Sequence, residues 1–136
     1  MFNSMIDDVW EFQVKSEQLS LYDPAAPSDK PELYLKLVKE EYKELIAAVE
    51  SGVEKDILNE AMDLIWVTIG LCNVKGHRLD AAWKVLARSN MAKLQKDPTT
   101  GKLLRNSEGK IMKPSNWEKP DYAPFVSHIN NKGGLR

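Results

Sequence analysis

The segment VEKDILNEAMDLIWVTIGLCNVK, residues 53–75, decides the reading of this chain. Val53, Ile57, Leu64, Val67, Leu71 and Val74 recur at helical spacing and share one face, yet Glu60 falls close to the middle of that face. From Ala61 to Cys72 the helix is apolar nearly all round apart from Asp63, which implies burial on several sides. Asp63 follows Glu60 by three residues, so the two carboxylates project side by side. No lysine or arginine occupies a neighbouring turn on the same face. Gly76 then supplies a stop that tolerates a left-handed backbone.

The helix before it repeats the anomaly. Ser28 or Asp29 can cap it, Pro31 suits its first turn, and Ser51-Gly52 ends it. Tyr34, Leu37, Val38, Tyr42, Leu45, Ala48 and Val49 form one broad apolar face with Glu41 near its middle and Glu44 at its edge. Glu40 borders Glu44, while Lys36, Lys39 and Lys43 project to the opposite side and cannot neutralise Glu41. Taking an ionised carboxylate out of water costs several kcal/mol even after relaxation. Protonation can relieve one or two such groups, and a single glutamate can reach water at the rim of an interface. Two acidic pairs on successive antiparallel helices are better explained by a shared divalent cation, Mg²⁺ or Mn²⁺, whose hard charge favours oxygen ligands.

Around this pair the sequence predicts two further helices. The first runs from about Ser4 to Leu19, with Ile6, Val9, Trp10 and Phe12 as apolar contacts, and stops before a loop at Pro24–Pro27. The fourth starts at Asp80 and carries Ala81 to about Gln95. Beyond Asp97-Pro98 helical periodicity ends, and Lys102–Arg105, Asn106–Gly109 and Lys110–Lys113 read as a small hairpin, followed by a frayed tail from Asn130. With 136 residues the chain suits one all-α domain over 1–136, with a helical core at about 4–96 and a hairpin and tail at 97–136. The expected architecture is a four- to five-helix bundle with a small C-terminal hairpin extension.

Composition narrows the functions. Lys+Arg 19 against Asp+Glu 20 leaves a formal charge of -1, which argues against nucleic-acid binding. The single cysteine, Cys72, has no disulfide partner within the chain and suits a reducing cytoplasm, and no histidine pattern makes it a nucleophile. The opening MFNSMIDDVWEF has neither a basic leader nor an uninterrupted apolar core, and the stretch Leu64–Cys72 is too short to cross a bilayer. A soluble cytoplasmic protein without a membrane partner is expected. Trp66 and Trp83 are expected in packing, Trp117 in a proline-flanked loop that can close over a site, and His77 and His128 at the surface. The apolar excess of the third helix argues against a monomer.

Glu40-Glu41-Tyr42-Lys43-Glu44 followed by Glu60-Ala61-Met62-Asp63 resembles the EExxE and ExxD signature of MazG-like all-α NTP pyrophosphohydrolases. Ser89-Asn90-Met91-Ala92-Lys93, Gly109-Lys110-Ile111-Met112-Lys113-Pro114, Trp117 and Pro120-Asp121 are similar to the C-terminal part of the phosphoribosyl-ATP-pyrophosphohydrolase-like and dimeric-dUTPase-like branches. The resemblance implies a bundle that forms a homodimer or homotetramer and hydrolyses a nucleoside triphosphate to the monophosphate and pyrophosphate. It implies that Glu41, Glu44, Glu60 and Asp63 are metal ligands and that Glu40 takes a metal or activates water, with Glu41 beside it in the catalytic pair. It further implies that Asn90 and Lys93 hold substrate, that Lys113 closes over it, and that Phe12 and Gln13 face the base; Trp117, from its own loop, is a further candidate to contact substrate. No single substrate signature is matched around Gln13 or in the loop before the second helix.

Such a reaction needs charge neutralisation on the triphosphate, a nucleophilic water and alignment with the leaving pyrophosphate. Three alternatives stand side by side: a nucleotide-pool enzyme acting on a nucleoside triphosphate, a deoxynucleotide in the first instance; phosphoribosyl-ATP pyrophosphohydrolase; or a non-enzymatic helical dimer holding a structural cation.

Overall fold

A computed structural model describes residues 4–19 and 30–126. The expected loop at Pro24–Pro27, the caps Ser28 and Asp29, His128 and the tail from Asn130 lie outside the described residues. Among the described residues the protein is all-helical, with α1 (Met5–Lys15), α2 (Pro31–Ser51), α3 (Glu54–Val74), α4 (Leu79–Met91) and a 3₁₀ turn at Ala123–Phe125. The chain divides into two compact units, one built from the described residues up to Leu79 together with Phe125 and Val126, the other spanning Asp80–Pro124.

In the first unit α3 packs along α2 and, over a shorter length, against α1. The α1 helix starts with a capping box: Ser4 Oγ accepts from the Asp7 N–H at 3.1 Å while Asp7 Oδ2 accepts from the Ser4 N–H at 3.2 Å. It ends at Lys15, four residues short of the expected Leu19. Glu17 adopts a left-handed φ of 62°, and the N–H groups of Glu17 and Gln18 turn back to the carbonyls of Val14 and Gln13. That pattern is a Schellman stop with glutamate in the position glycine usually takes. It swings Leu19 into the core, where it joins Tyr34, Val67 and Val74.

The short link between α2 and α3 contains Gly52 at φ 75°, whose N–H caps the Ala48 and Val49 carbonyls. Both helices have 21 residues, so the antiparallel pair runs alongside for its whole length. Close approach is set at Gly70: a β-carbon there would lie 2.2 Å from Tyr34 Cε1. Only glycine lets the Tyr34 ring lie flat on α3. The α3 helix would by length and a mean hydropathy of 1.3 suit a bilayer, but a bundle's core helix meets the same test, and α3 carries Glu60 and Asp63 in its middle.

In the second unit α4 ends at Met91 rather than the expected Gln95, because Lys93 and Leu94 donate to the Asn90 and Met91 carbonyls and tighten the last turn. The expected hairpin is present as an isolated antiparallel bridge between Arg105 and Ile111, closed by the Asn106 N–H to Lys110 carbonyl bond at 2.9 Å. A second tight reversal, unforeseen from the sequence, pairs Lys96 with Leu103 around Asp97, whose Oδ1 accepts from Thr99 and Thr100. Trp83, expected in packing, is 66% exposed.

Candidate active site

The first unit brings three of the expected carboxylates together. One oxygen each from Glu41, Glu60 and Asp63 lies within 4.8 Å of the others. Glu41 comes from the middle of α2 and the other two from the facing stretch of α3, so helix pairing itself builds the cluster. Glu44, one turn along α2, is close enough to Glu41 to act on its carboxyl. Asp63 is exposed, whereas Glu41 and Glu60 are half-buried, and each of these two has its Oε2 fully buried with no hydrogen-bond partner. Among the described residues none of these carboxylates has an ion-pair partner.

Burial, then the nearness of the Glu44 carboxyl and the negative charges of Glu44, Asp63 and Glu60, push the Glu41 carboxyl from 4.5 up to about 7. Orphaned hard oxygens from two helices, converging without a basic side chain, suit a divalent cation that keeps water and phosphate oxygens among its ligands. Glu40 is not gathered into the cluster. It is exposed and lines a shallow surface depression with Glu32, Leu35, Lys36, Lys39 and Lys43, on the charged side of α2.

Gln13 was expected to face a nucleobase, and the structure places it fully buried between helices. Its Nε2 donates to the Gly70 carbonyl at 2.9 Å and its Oε1 accepts from Asn73 Nδ2 at 3.0 Å. Both ends of the amide therefore tie α1 to α3, and Asn73, a residue without a role in the sequence reading, completes that tie. Beside it the Tyr34 hydroxyl donates to Gln18 Oε1. Phe12, the neighbour of Gln13, remains exposed and meets Trp66 edge to face at 5.6 Å between centroids.

The second unit groups all four residues expected in its share of substrate binding. The Trp117 indole N–H donates to the Ser89 carbonyl at 2.9 Å. Lys93 Nζ lies 5.0 Å and Lys113 Nζ 4.8 Å from the Trp117 ring centroid, and Lys93 Nζ also donates to Asn90 Oδ1 at 2.8 Å. Ser89, a residue without an expected role of its own, supplies the anchoring carbonyl and has a buried Oγ with no partner.

Comparison with curated proteins returns no significant match. Residues 6–90, more than half of the chain, match the family model described as phosphoribosyl-ATP pyrophosphohydrolase. The chain accordingly belongs to this family of nucleotide pyrophosphohydrolases, within the MazG-like all-α superfamily.

Proposed function

We propose that this protein hydrolyses a nucleoside triphosphate, a deoxynucleotide in the first instance, to the monophosphate and pyrophosphate, using Mg²⁺ held by Glu41, Glu44, Glu60 and Asp63. The observation that carries this reading is the pair of buried, unpartnered Oε2 atoms of Glu41 and Glu60 inside a cluster of carboxylates. Left alone, unpartnered buried carboxylate oxygens disfavour the fold, and the relief that a proton on Glu41 gives is lost as pH rises. Bound there, Mg²⁺ supplies charge neutralisation for phosphate oxygens and a water that is nucleophilic near neutral pH, a role Mn²⁺ can also fill.

The chain's own residues divide the remaining work. Glu41 and Glu60, half-buried on facing helices with one oxygen of each fully buried, hold the inner donor oxygens. Asp63 and Glu44, nearer to solvent, close the set from the outside. Glu40 takes no part in the ligand set on this reading, since it faces the lysines of α2. Lys93, Lys113 and Asn90 provide cationic and polar contacts for phosphate oxygens. The amide of Gln13 is held away from substrate and keeps α1 seated, while exposed Phe12 remains the α1 side chain open to a base.

A homodimer, or a dimer of dimers, is part of this proposal. Tyr42, Ile46, Val49 and Val53 are exposed at spacings of four, three and four, and Leu58, Met62 and Ile65 continue such a stripe on α3. Stripes of this kind on two adjacent helices match the seam of a bundle completed by a second copy.

Incubation of the purified chain with Mg²⁺ and a panel of ribo- and deoxynucleoside triphosphates, with product identification, tests the reading. Monophosphate and pyrophosphate are expected; orthophosphate release, or no turnover of any member, overturns it. The description of the matched family favours a second reading, hydrolysis of phosphoribosyl-ATP. That compound belongs in the same panel, and turnover of it alone would select the second reading.

A further inference from the structure

We infer that Trp117 is a positioning residue whose ring holds the Lys93 and Lys113 ammonium groups together as a clamp for the phosphate chain of an anionic nucleotide, rather than a platform for the base. This rests on the pyrophosphohydrolase reading above and assigns one part of the substrate to one group of residues.

The ring is fixed first. Its N–H is tied to the Ser89 carbonyl near the end of α4 at 2.9 Å, which leaves the indole in one orientation. Two ammonium groups then converge on it, Lys93 from just past α4 and Lys113 from the second arm of the hairpin, at 5.0 and 4.8 Å from the centroid. These lysines are twenty residues apart in the sequence, so their meeting is made by the reversals at Gly101 and Gly109, both at positive φ, and not by helical adjacency. Each contact lies within the range in which the ring's negative face attracts a cation.

Two like charges drawn to one ring repel each other, and among the described residues neither has a carboxylate partner. Asn90 Oδ1 accepts from Lys93 Nζ at 2.8 Å and turns that ammonium to a fixed direction, yet adds no negative charge. An anion bridging both nitrogens relieves the repulsion, and a phosphate chain carries enough charge and acceptor oxygens to do so. With two ammonium groups on the indole, a base cannot stack there without displacing them. Ser89, whose carbonyl anchors the ring, also has a buried hydroxyl with no partner, a further donor in this group of residues.

The test uses the full chain and two ligands that separate the parts of a nucleotide: inorganic tripolyphosphate, and a nucleoside bearing no phosphate. Calorimetry should show Trp117→Leu weakening tripolyphosphate binding about five- to thirty-fold, from two cation–π contacts, with nucleoside binding unchanged. Trp117→Phe, which keeps an aromatic face but loses the N–H to the Ser89 carbonyl, should recover part of the loss and also serves if the leucine variant does not fold. In a Lys93→Met/Lys113→Met background, Trp117→Leu should add no further loss, because a positioning residue acts only through the groups it positions. With a turned-over triphosphate, KM should rise and kcat stay within about twofold. Weakened nucleoside binding with tripolyphosphate unaffected, or full additivity with the lysine changes, overturns the inference. If triphosphates are hydrolysed while Trp117→Leu leaves tripolyphosphate affinity intact, the clamp fails and the enzyme reading stands. If tripolyphosphate binding behaves as expected and no nucleotide is hydrolysed, the clamp stands and the enzyme reading fails.

Discussion

Metal binding at the carboxylate cluster should release a proton, and the amount should depend on pH in a way the structure fixes. Glu41 is pushed up to about 7 by burial first and by Glu44, Asp63 and Glu60 after it. At a pH of about 6.5 a group titrating there is about three quarters protonated, and at a pH of about 8 about one tenth. A cation needs the ionised form, so Mg²⁺ binding should expel about three quarters of a proton per site at the lower pH and about one tenth at the higher. Calorimetric titration in two buffers of different ionisation enthalpy reads this directly. Glu41→Gln should abolish the difference between buffers. The same shift sets the stability of the metal-free fold. A carboxyl raised from 4.5 to about 7 on folding favours the folded state fully below 4.5, and that contribution is lost as pH rises through about 7. Metal-free protein should therefore melt at lower temperature as pH rises across this window, and Mg²⁺ should reduce the decline. Equal proton release at both pH values, or none at the lower one, would refute the reasoning.

Three further outcomes are expected. Gly70→Ala drives a β-carbon to within 2.2 Å of Tyr34 Cε1, 2.8 Å of Cδ1 and 2.9 Å of Cζ, and the ring is 2% exposed and held at its hydroxyl by Gln18, so thermal melting should fall by about 5–15 °C, corresponding to about 1–3 kcal/mol. The double variant Gly70→Ala/Tyr34→Leu should cost less than the sum of its parts; additivity would show that the two do not meet. Glu60→Gln should lower Mg²⁺ affinity about tenfold or more while leaving the metal-free fold as stable as before, since one member of a repelling cluster is neutralised; an unchanged titration would remove Glu60 from the ligand set. Glu40→Gln should leave Mg²⁺ affinity within about twofold, because Glu40 stands among Lys36, Lys39 and Lys43 on the other side of α2.

How far the sequence carries can be seen residue by residue. The ends of α2 and α3 follow from Gly52 and Gly76, and the meeting of Glu41 with Glu60 and Asp63 follows from two apolar faces joined by a short link, because helical periodicity fixes direction as well as class. The end of α1 does not, since Glu17 takes a left-handed conformation that carries no residue signal and is held by the packing of Leu19. Gln13 and Asn73 are sixty residues apart and polar, so nothing local marks them as each other's partners. Trp83 reads as core by type, but no described helix face covers it. The grouping of Asn90, Lys93, Lys113 and Trp117 follows from family resemblance, not from spacing, for two tight reversals decide which side chains return to the end of α4.

One helix, α3, carries two kinds of inward polar group, and the contrast between them bears on the proposed metal requirement. Near its C-terminal end the Gly70 carbonyl and the Asn73 amide are matched by a single glutamine from α1, with bonds of 2.9 and 3.0 Å. About three turns earlier, Glu60 meets Glu41 from α2, and both leave a buried oxygen unmatched. A bundle that supplies Gln13 for the amide could as readily supply a lysine for the carboxylates, yet the lysines of α2 all stand on its outer side. Acid facing acid can be relieved by a proton at low pH, as the raised Glu41 carboxyl indicates, but near neutral pH and above a hard divalent cation would suit the oxygens better, which is why the proposed function includes one.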